Sequence, residues 1–263
     1  MYQSILTEID LGVGIITLNR PERHNAFDDG LIGELSTAID AMAADPAVRV
    51  LVVSSIGKSF CAGADLNWMK RAADYTREEN LRDSRALAEM LRKLAQCPKP
   101  TIARVQGPAY GGGVGLVACC DVAIATFDVQ FSLTEVKLGI IPAVIAPHVI
   151  AAIGERYARR YMLTAERFSA AEAYRIGLLH EMVADIAALD GAVGEVVDAL
   201  MNNGPNAMAE CKALISAAAS RPLSAEILED TAQRITRARS SSEGREGMTA
   251  FLQKRKPNWV KGN

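Results

Sequence analysis

The sequence predicts an α/β fold whose C-terminal part is helical. Apolar strand-like segments alternate with helical segments in the first half of the chain, and helical patterns dominate after Pro142. The chain has 263 residues, of which 49% are apolar, enough for one large core or one core with a small appendage. No low-complexity linker and no repeat of fixed length divides it.

The spacing of apolar residues predicts the individual elements. Alternating residues and continuous short apolar runs predict strands, and apolar residues three to four apart predict helices. In chain order, the expected strands are 3–10, 13–19, 49–55, 101–107 and 121–126. The expected helices include 28–44, a long helix over 66–95 that ends at the prolines of 97–100, and a polar helix over 243–255.

Composition argues against several classes of protein. A formal net charge of −2 offers no basic surface for nucleic acid or anionic membranes. The five cysteines lack CxxC spacing and only three histidines accompany them, which argues against a zinc site or a disulfide framework. The N-terminus has no signal-peptide pattern, and no apolar run is long enough to span a bilayer. We expect a cytoplasmic protein with no metal, nucleic-acid or membrane partner.

The stretch AYGGGVGLVACCD, at 109–121, places three consecutive glycines before an apolar segment. Glycine disfavours helices, so this triplet indicates a close approach to the backbone. The spacing Gly113-x-Gly115-x-x-Ala118 matches a dinucleotide fingerprint, but the helix after it has room for only about eight residues, too few for the usual crossover. The remaining interpretations are a tight packing turn, or free N–H groups that bind a ligand oxygen.

A second loop, 57–65, also joins a buried strand to a helix. It could supply another N–H to the same oxygen, as an oxyanion hole requires, or it could be an ordinary connection capped by Asp65. Five ordered motifs extend over nearly the whole chain: NRPERHNA at 19–26, SFCAGADL at 59–66, KPTIA with GPAYGGG at 99–113, FSLTEVKLGIIP at 131–142 and FLQKRKP at 251–257. Together they resemble the crotonase, or enoyl-CoA hydratase/isomerase, family.

The resemblance implies a fold, an assembly and a substrate. The fold would be a spiral of strand–strand–helix turns over residues 1–195, followed by a helical trimerisation region over 196–263. The assembly would be a homotrimer or a dimer of trimers. The substrate would be an acyl-CoA, whose coenzyme A is part of the substrate, so that no separate cofactor is implied.

The resemblance also implies roles for individual residues. Ala64 and Gly112 would donate the N–H groups of an oxyanion hole, and Glu135 would be the acid/base group. The expected substrate-binding residues are Arg23, Ala26, Ala62, Asp65, Leu66, Trp68, Tyr110, Gly111, Gly115, Phe251 and Lys254. The last two would serve the ligand of a neighbouring subunit, unless they are a core side chain and a solvated one. Further candidates for phosphate contact or pocket lining are Arg20, Lys58, Met69, Leu116 and Val144.

One departure from the family pattern concerns the acid/base groups. The hydratases have a second glutamate in the pattern GGGxE, where this chain has Gly115. Only Glu135 remains, and its apolar neighbours would raise its pKa. Without the resemblance, Glu135 would be interpreted as a surface acid paired with Lys137 or Arg104. We hypothesise that Gly115 leaves room for a 3-branch of the substrate, or for a water held by the substrate's distal carboxylate.

Segments 142–156, 159–168 and 251–259 resemble, in particular, bacterial methylglutaconyl-CoA and carboxygeranoyl-CoA hydratases. The implied function is hydration of a 3-branched 2-enoyl-CoA, with His148, Lys70 or Lys137 as partners of a distal carboxylate. A single glutamate also suits a Δ3–Δ2 enoyl-CoA isomerase or an acyl-CoA decarboxylase on the same scaffold. A non-catalytic acyl-CoA binder is the third interpretation.

Overall fold

The computed structural model describes residues 2–219 and 221–260. Its strands are β1 Ile5–Asp10, β2 Val13–Leu18, β3 Val50–Ser55, β4 Thr101–Val105, β5 Ala109–Tyr110, β6 Val122–Thr126, β7 Gln130–Ser132, β8 Phe168–Ser169 and β9 Glu181–Val183. Its α-helices are α1 Asp29–Ala44, α2 Leu66–Ala73, α3 Arg77–Ala95, α4 Gly112–Cys119, α5 Ala146–Thr164, α6 Ala170–Arg175, α7 Ile186–Met201, α8 Pro205–Ala218, α9 Ala225–Ser240 and α10 Ser242–Leu252. Short 3-10 turns cover Pro21–Arg23 and Glu135–Leu138.

The strands form a large sheet and a small one. The large sheet has the order β1-β2-β3-β4-β6-β9, and all its neighbours are parallel except the antiparallel pair β1 and β2. The small sheet has the order β5-β7-β8, with β5 parallel to β7 and β7 antiparallel to β8. The central parallel strands β3, β4 and β6 are buried at nearly every position, as expected where both faces of a parallel sheet are covered.

From β4 to β7, successive strands alternate between the two sheets, and this alternation produces the spiral. β4 is followed by β5 and α4, and β6 is followed by β7 and α5. The chain after β3 repeats the pattern, because Cys61 forms a parallel bridge with Ala109 before α2 begins. The expected strand–strand–helix spiral is therefore confirmed. It brings the loops after β3 and β4 side by side at the carboxyl ends of parallel strands, where α/β folds commonly bind ligands.

Strand β3 shows how the core is divided. Leu51 and Val53 belong to the main cluster, which also contains buried residues of α1, α3 and α4. Val50 and Val52 face the opposite way and pack with buried residues of α7. This α7 packing matters for the predicted boundary at 195/196, because α7 runs across it from Ile186 to Met201. The boundary remains a prediction.

The C-terminal helices α8 to α10 attach at the amino ends of the parallel strands. Arg49, just before β3, donates to the carbonyl of Asn203 at 2.6 Å and to that of Trp259 at 2.9 Å. Lys212 of α8 pairs with Asp121, just before β6. These helices therefore lie at the end of the sheet opposite the two loops. Among the residues that the structure describes, no helix has the length and apolarity needed to cross a membrane.

Three sequence predictions need correction. The long helix over 66–95 is two helices, because Thr76 and Glu79 form a capping box that starts α3 anew. The segment after Pro142 also contains β8 and β9, edge strands too short to show alternation. The last helix ends at Leu252, so Lys254 lies beyond it with a left-handed φ of 54°.

Candidate active site

The two loops pack directly against each other and leave two backbone donors free. The N–H of Tyr110 donates to the carbonyl of Cys61 at 2.9 Å. On the other side, Phe27 bridges Ala64: the Phe27 N–H donates to Gly63 and the Asp65 N–H donates to Phe27. This pairing turns the N–H of Ala64 away from Phe27. Within residues 2–219 and 221–260, neither that N–H nor the N–H of Gly112 has a hydrogen-bond partner.

Each glycine of the triplet has a different close neighbour. A Cβ on Gly112 would lie 2.8 Å from the Phe27 ring, and a Cβ on Gly113 would overlap the carbonyl of Cys61. A Cβ on Gly111, whose φ is 49°, would lie 2.9 Å from Oε1 of Glu135. The close approach that the triplet predicts thus comes from an aromatic ring, the second loop and a carboxyl group. Gly112 also begins α4, so its N–H lies at the positive end of the helix dipole.

Glu135 lies beside this turn without a charged partner. Its Oε2 is buried and has no hydrogen-bond partner within the described residues. Burial raises the pKa of Glu135 above its ordinary value, and only the residue's own backbone N–H opposes that shift. The expected rise in pKa is confirmed in direction. The interpretation as a surface ion pair is wrong, because Arg104 pairs with Asp190 at 2.6 Å and Lys137 makes no ion pair in the described chain.

Gly115 does not leave room for a substrate branch or a water. A Cβ at this position would overlap Cγ2 of Ile145 and lie 2.9 Å from its Cβ. Ile145 is only 3% exposed, so its side chain already fills the volume that Gly115 vacates. The hypothesis of a vacant space beside Gly115 is therefore wrong. Ile145 and Phe27 are the side chains at this turn that the sequence analysis did not name; the available signal for Ile145 was its place in segment 142–156, which carries part of the resemblance.

The basic residues expected to contact phosphate differ in how available their side chains are. Arg20 is buried and its guanidinium pairs with Asp28 at 2.7 Å and with Asp65 at 3.5 Å. It is not available for a phosphate, so that prediction is wrong. Arg23 also reaches Asp65, at 3.3 Å, but its side chain is 45% exposed. Lys58 is exposed and makes no ion pair among the residues described.

Asp65 holds the start of α2. Its Oδ1 accepts from the N–H groups of Asn67 and Trp68, and its Oδ2 accepts from Arg23. Burial acts to raise the pKa of Asp65, but these donors outweigh it and the pKa lies below its ordinary value. The capping interpretation is thus confirmed, and Asp65 influences the neighbouring Ala64 N–H by fixing the loop. Its predicted contact with substrate stays a prediction.

The remaining candidates are distributed around the loops. Ala26 is buried and its N–H donates to Arg23, whereas the N–H of Ala62 donates to His24. Leu66 is 74% exposed at the start of α2. The Trp68 indole donates to Asp83 at 3.2 Å, and the Tyr110 ring lies 5.5 Å below the Arg167 guanidinium.

The side chains predicted to line the pocket or to bind a distal carboxylate differ in their exposure. Leu116 is fully buried in the main core, so it lines no open pocket, whereas Met69 and Val144 are half-buried. His148 is half-buried as well, and burial lowers its pKa, which disfavours the cation needed to bind a distal carboxylate. Lys70 and Lys137 are exposed.

Phe251 and Lys254 lie far from these loops within one chain. Phe251 is in the last turn of α10 and Lys254 lies just beyond it. The C-terminal helices attach before β3, whereas the loop of Ala64 follows the other end of β3. A strand of this length separates the two ends by about 17 Å. The Phe251 ring is 82% exposed, so the interpretation as a core side chain is wrong.

Known proteins match the whole chain. A family model described as enoyl-CoA hydratase/isomerase matches residues 8–262. A crystal structure of an enoyl-CoA hydratase from Shewanella pealeana has a TM-score of 0.95 at 43% identity, covering 98% of this chain and 96% of that one. Crotonyl-CoA hydratase of Syntrophomonas wolfei is 32% identical, over 98% of each chain. 1,2-Epoxyphenylacetyl-CoA isomerase of Escherichia coli is 32% identical, over 99% of each chain.

Proposed function

Because the chain belongs to the enoyl-CoA hydratase/isomerase family, we propose that it is an enzyme that adds water to a 3-branched 2-enoyl-CoA thioester. The observation that supports this most strongly is the position of Glu135. The Oε2 atom of its carboxyl group is buried without a hydrogen-bond partner among the described residues, and Oε1 lies beside Gly111, directly before the free N–H of Gly112. The proposed acid/base group, Glu135, therefore lies at the same backbone turn as the proposed oxyanion donor, the N–H of Gly112.

The N–H groups of Ala64 and Gly112 bind the thioester oxygen in this proposal. Conjugate addition of water places negative charge on that oxygen as an enolate forms. Each donor aimed at the developing charge contributes about 3 kcal/mol to transition-state stabilisation. Neither donor has another partner among the described residues, so no protein hydrogen bond is broken when the substrate binds.

Glu135 transfers a proton at the α-carbon. Its raised pKa keeps a larger fraction of the carboxyl group protonated than in water, as a general acid requires. Water attacks C3 and loses a proton, and the carboxyl group that has given its proton to C2 accepts one in return. The resemblance to methylglutaconyl-CoA and carboxygeranoyl-CoA hydratases supports this substrate class.

The coenzyme A portion extends from the loops toward a neighbouring subunit. Arg23, with its exposed guanidinium, and the backbone near Ala26 and Ala62 contact the nucleotide end. The acyl portion lies against Leu66, Trp68, Tyr110 and Gly111. Phe251 and Lys254 of a second copy contact the adenine and phosphate in a homotrimer or a dimer of trimers. Their exposure, and their distance from the loops of their own chain, support this arrangement.

A parallel assay tests the proposal. Purified protein receives crotonyl-CoA, 3-methylglutaconyl-CoA and a 3-enoyl-CoA, and products are identified by mass. We expect loss of enoyl-thioester absorbance and a gain of one water on the branched substrate. Glu135→Gln should lower kcat about 10²- to 10⁴-fold and leave the Kd for the CoA ester nearly unchanged. Full activity in this variant would exclude Glu135 as the proton-transfer group.

The alternative is a Δ3–Δ2 enoyl-CoA isomerase, which the single carboxyl group favours because one base suffices to move a proton between carbons. The same assay separates the two functions. Conjugated absorbance from the 3-enoyl ester, without a change in mass and without hydration of the other esters, identifies an isomerase. Loss of carbon dioxide from a carboxylated ester identifies a decarboxylase, and binding without turnover identifies a non-catalytic binder.

A further inference from the structure

Phe27 contacts both of the loops that carry the free N–H groups. Its N–H donates to the carbonyl of Gly63 at 2.6 Å and its carbonyl accepts from the N–H of Asp65 at 2.7 Å, so its backbone holds Ala64 from both sides. Its ring faces the other donor, because a Cβ on Gly112 would lie 2.8 Å from Cε2 and 2.9 Å from Cδ2 of the ring. One residue therefore lies against both donors, through its main chain at Ala64 and through its ring at Gly112.

The Phe27 ring explains why position 112 is a glycine. Among residues 2–219 and 221–260, a Cβ at this position would meet no other atom within 4 Å outside its chain neighbours and its own helix. The φ of Gly112 is not positive, so its backbone admits an L-amino acid. The missing side chain at Gly112 thus corresponds to one contact, with the side edge of this ring.

Phe27 is itself held on both sides along the chain. It is 1% exposed and belongs to the main core cluster. Before it, the Asn25 amide group donates to the carbonyls of Ile56 and Ser59, each at 2.9 Å. After it, the Asp28 side chain caps α1. The ring therefore fills a fixed volume behind Gly112.

This fixed volume matters because an oxyanion hole depends on where its donors lie. Each N–H must lie about 2.7–3.1 Å from the oxygen that gains charge. A functional group whose supporting residues leave it about 1 Å loose loses much of its effect. The ring prevents Gly112 from shifting into the space beside Phe27.

We propose that Phe27 is a positioning residue, whose ring fixes the Gly112 N–H relative to the Ala64 N–H. The inference rests on the proposed function and deepens it. Phe27 takes no part in proton transfer and acts only through the two donors. Because its contact with Ala64 is made by the backbone, a smaller side chain at position 27 should release Gly112 and leave the Ala64 donor in place.

The first test observes the donors without turnover. Wild type and Phe27→Leu are saturated with butyryl-CoA labelled with carbon-13 at the thioester carbonyl, and the C=O stretch is recorded by infrared difference spectroscopy. Hydrogen bonds to a carbonyl oxygen lower its stretching frequency, so we expect a lowering in wild type and a smaller one in Phe27→Leu. With the active enoyl ester, kcat should fall about tenfold to 10²-fold, up to the loss seen when one donor is removed. The Kd for butyryl-CoA should change little, because the donors bind the developing charge more strongly than the ground-state carbonyl.

Phe168→Leu is the matched control for loss of core volume. Phe168 is 4% exposed, belongs to the same core cluster, and packs against the rings of Phe131 and Tyr161. The same truncation there should lower Tm to a similar extent. It should leave the C=O frequency and kcat at their wild-type values.

Gly112→Ala alters the same contact from the other side, and it serves as the test if Phe27→Leu does not fold. The added Cβ would collide with the ring and displace the donor, so both the lowering of the C=O frequency and kcat should decrease. In the double variant with Phe27→Leu, the Cβ occupies space that the ring edge leaves. The double variant should therefore be about tenfold more active than Gly112→Ala alone, because the two residues are in contact.

The inference would be overturned by a C=O frequency in folded Phe27→Leu, or in Gly112→Ala, equal to that of wild type. A folded double variant no more active than Gly112→Ala would also contradict it. Wild-type protein that binds butyryl-CoA without any lowering of the frequency contradicts the oxyanion site of the proposed function, and the inference with it. That failure appears in the wild type, so it differs from one confined to the variants.

Discussion

The two ends of the parallel strands are built in opposite ways. At the carboxyl ends, the loops after β3 and β4 contact each other so closely that Gly113 tolerates no Cβ beside Cys61. At the amino ends, the packing is looser, because α8 has no buried residue. Between the two ends, every residue of β3 is buried. The large exposed apolar side chains of α8 to α10 and the segment between α8 and α9 are Ile215, Leu223, Leu228, Ile235, Met248, Phe251 and Leu252.

This difference distinguishes the loops, whose geometry one chain determines by itself, from the C-terminal helices, whose exposed apolar side chains a second chain would cover. The geometry of the free N–H groups of Ala64 and Gly112 results from contacts within one chain. These exposed apolar side chains are not covered by the described part of their own chain, and exposed apolar surface of this kind is typical of protein interfaces. We therefore expect substitutions at the loops to alter chemistry, and substitutions near Phe251 to alter coenzyme A binding or assembly.

The largest effect should come from Gly113→Ala. The added Cβ would collide with the Cys61 carbonyl and lie 2.9 Å from the Cys61 Cβ, so the two loops must separate. Overpacking of this kind costs about 1–3 kcal/mol of stability. Displacing even one oxyanion donor lowers kcat about 10²- to 10³-fold. Steady-state kinetics with the active ester and thermal unfolding measure both effects.

Gly33→Ala is the matched control, because Gly33 lies in α1 and its Cβ would meet nothing within 4 Å. It should keep wild-type kinetics and gain about 0.5–1 kcal/mol from better helix propensity. Wild-type turnover in Gly113→Ala would mean that loop contact does not position the donors.

A smaller effect should follow from Phe251→Ser combined with Lys254→Gln. If these side chains bind the adenine and phosphate of a neighbouring subunit's ligand, KM should rise about threefold to tenfold, because a stacking contact contributes about 0.5–1.5 kcal/mol. The value of kcat should not change, since the loops lie at the opposite end of the strands. Initial rates over a range of CoA-ester concentrations provide the measurement.

Two controls sharpen this prediction. Lys256→Gln removes a neighbouring charge and should leave KM unchanged. A pantetheine thioester, which lacks the nucleotide, should show the same KM with wild type and with the double variant. A difference that persists with the pantetheine ester would place the effect in assembly or folding rather than in nucleotide contact, which size-exclusion chromatography would then resolve.

The smallest effect concerns the stability of the site itself. The pKa of Glu135 is raised in the folded protein, so its ionised form costs stability above that pKa and the cost disappears below the unfolded value of about 4.3. Glu135→Gln should therefore raise Tm at neutral pH, because it removes a carboxylate whose burial opposes ionisation. The difference from wild type should shrink as pH falls toward 4.

Glu172→Gln should change the stability at neutral pH in the opposite direction. Hydrogen bonds from Arg175 and Tyr161 lower the pKa of Glu172 to about 2. Its charge therefore contributes stability above the unfolded pKa, and this contribution is lost as pH falls through about 2. The variant should lower Tm at neutral pH. Two Glu→Gln substitutions with the same sign of change would contradict the assignment of Glu135 as a strained, functional carboxyl group.

Local patterns were sufficient for elements that depend on local chemistry. Helix α1, expected over 28–44, spans Asp29–Ala44, and the Asp28 side chain caps it by accepting from the N–H of Leu31 three residues later. The apolar run of β3 and the eight-residue α4 were also predicted, since burial on both faces and a short distance between strands are visible in the sequence. Strands β8 and β9 were missed because they are edge strands of two and three residues, too short to show alternation.

For the site, the sequence by itself determined the residue types: two glycine-containing loops, one glutamate near them and a glycine at position 115. Only the tertiary structure decided what each residue faces. Arg20 became a buried ion-pair partner of Asp28, and the space beside Gly115 was filled by Ile145. The physical reason is that packing volume and ion pairing depend on atoms that lie close in space but far apart along the chain, so no local pattern records them.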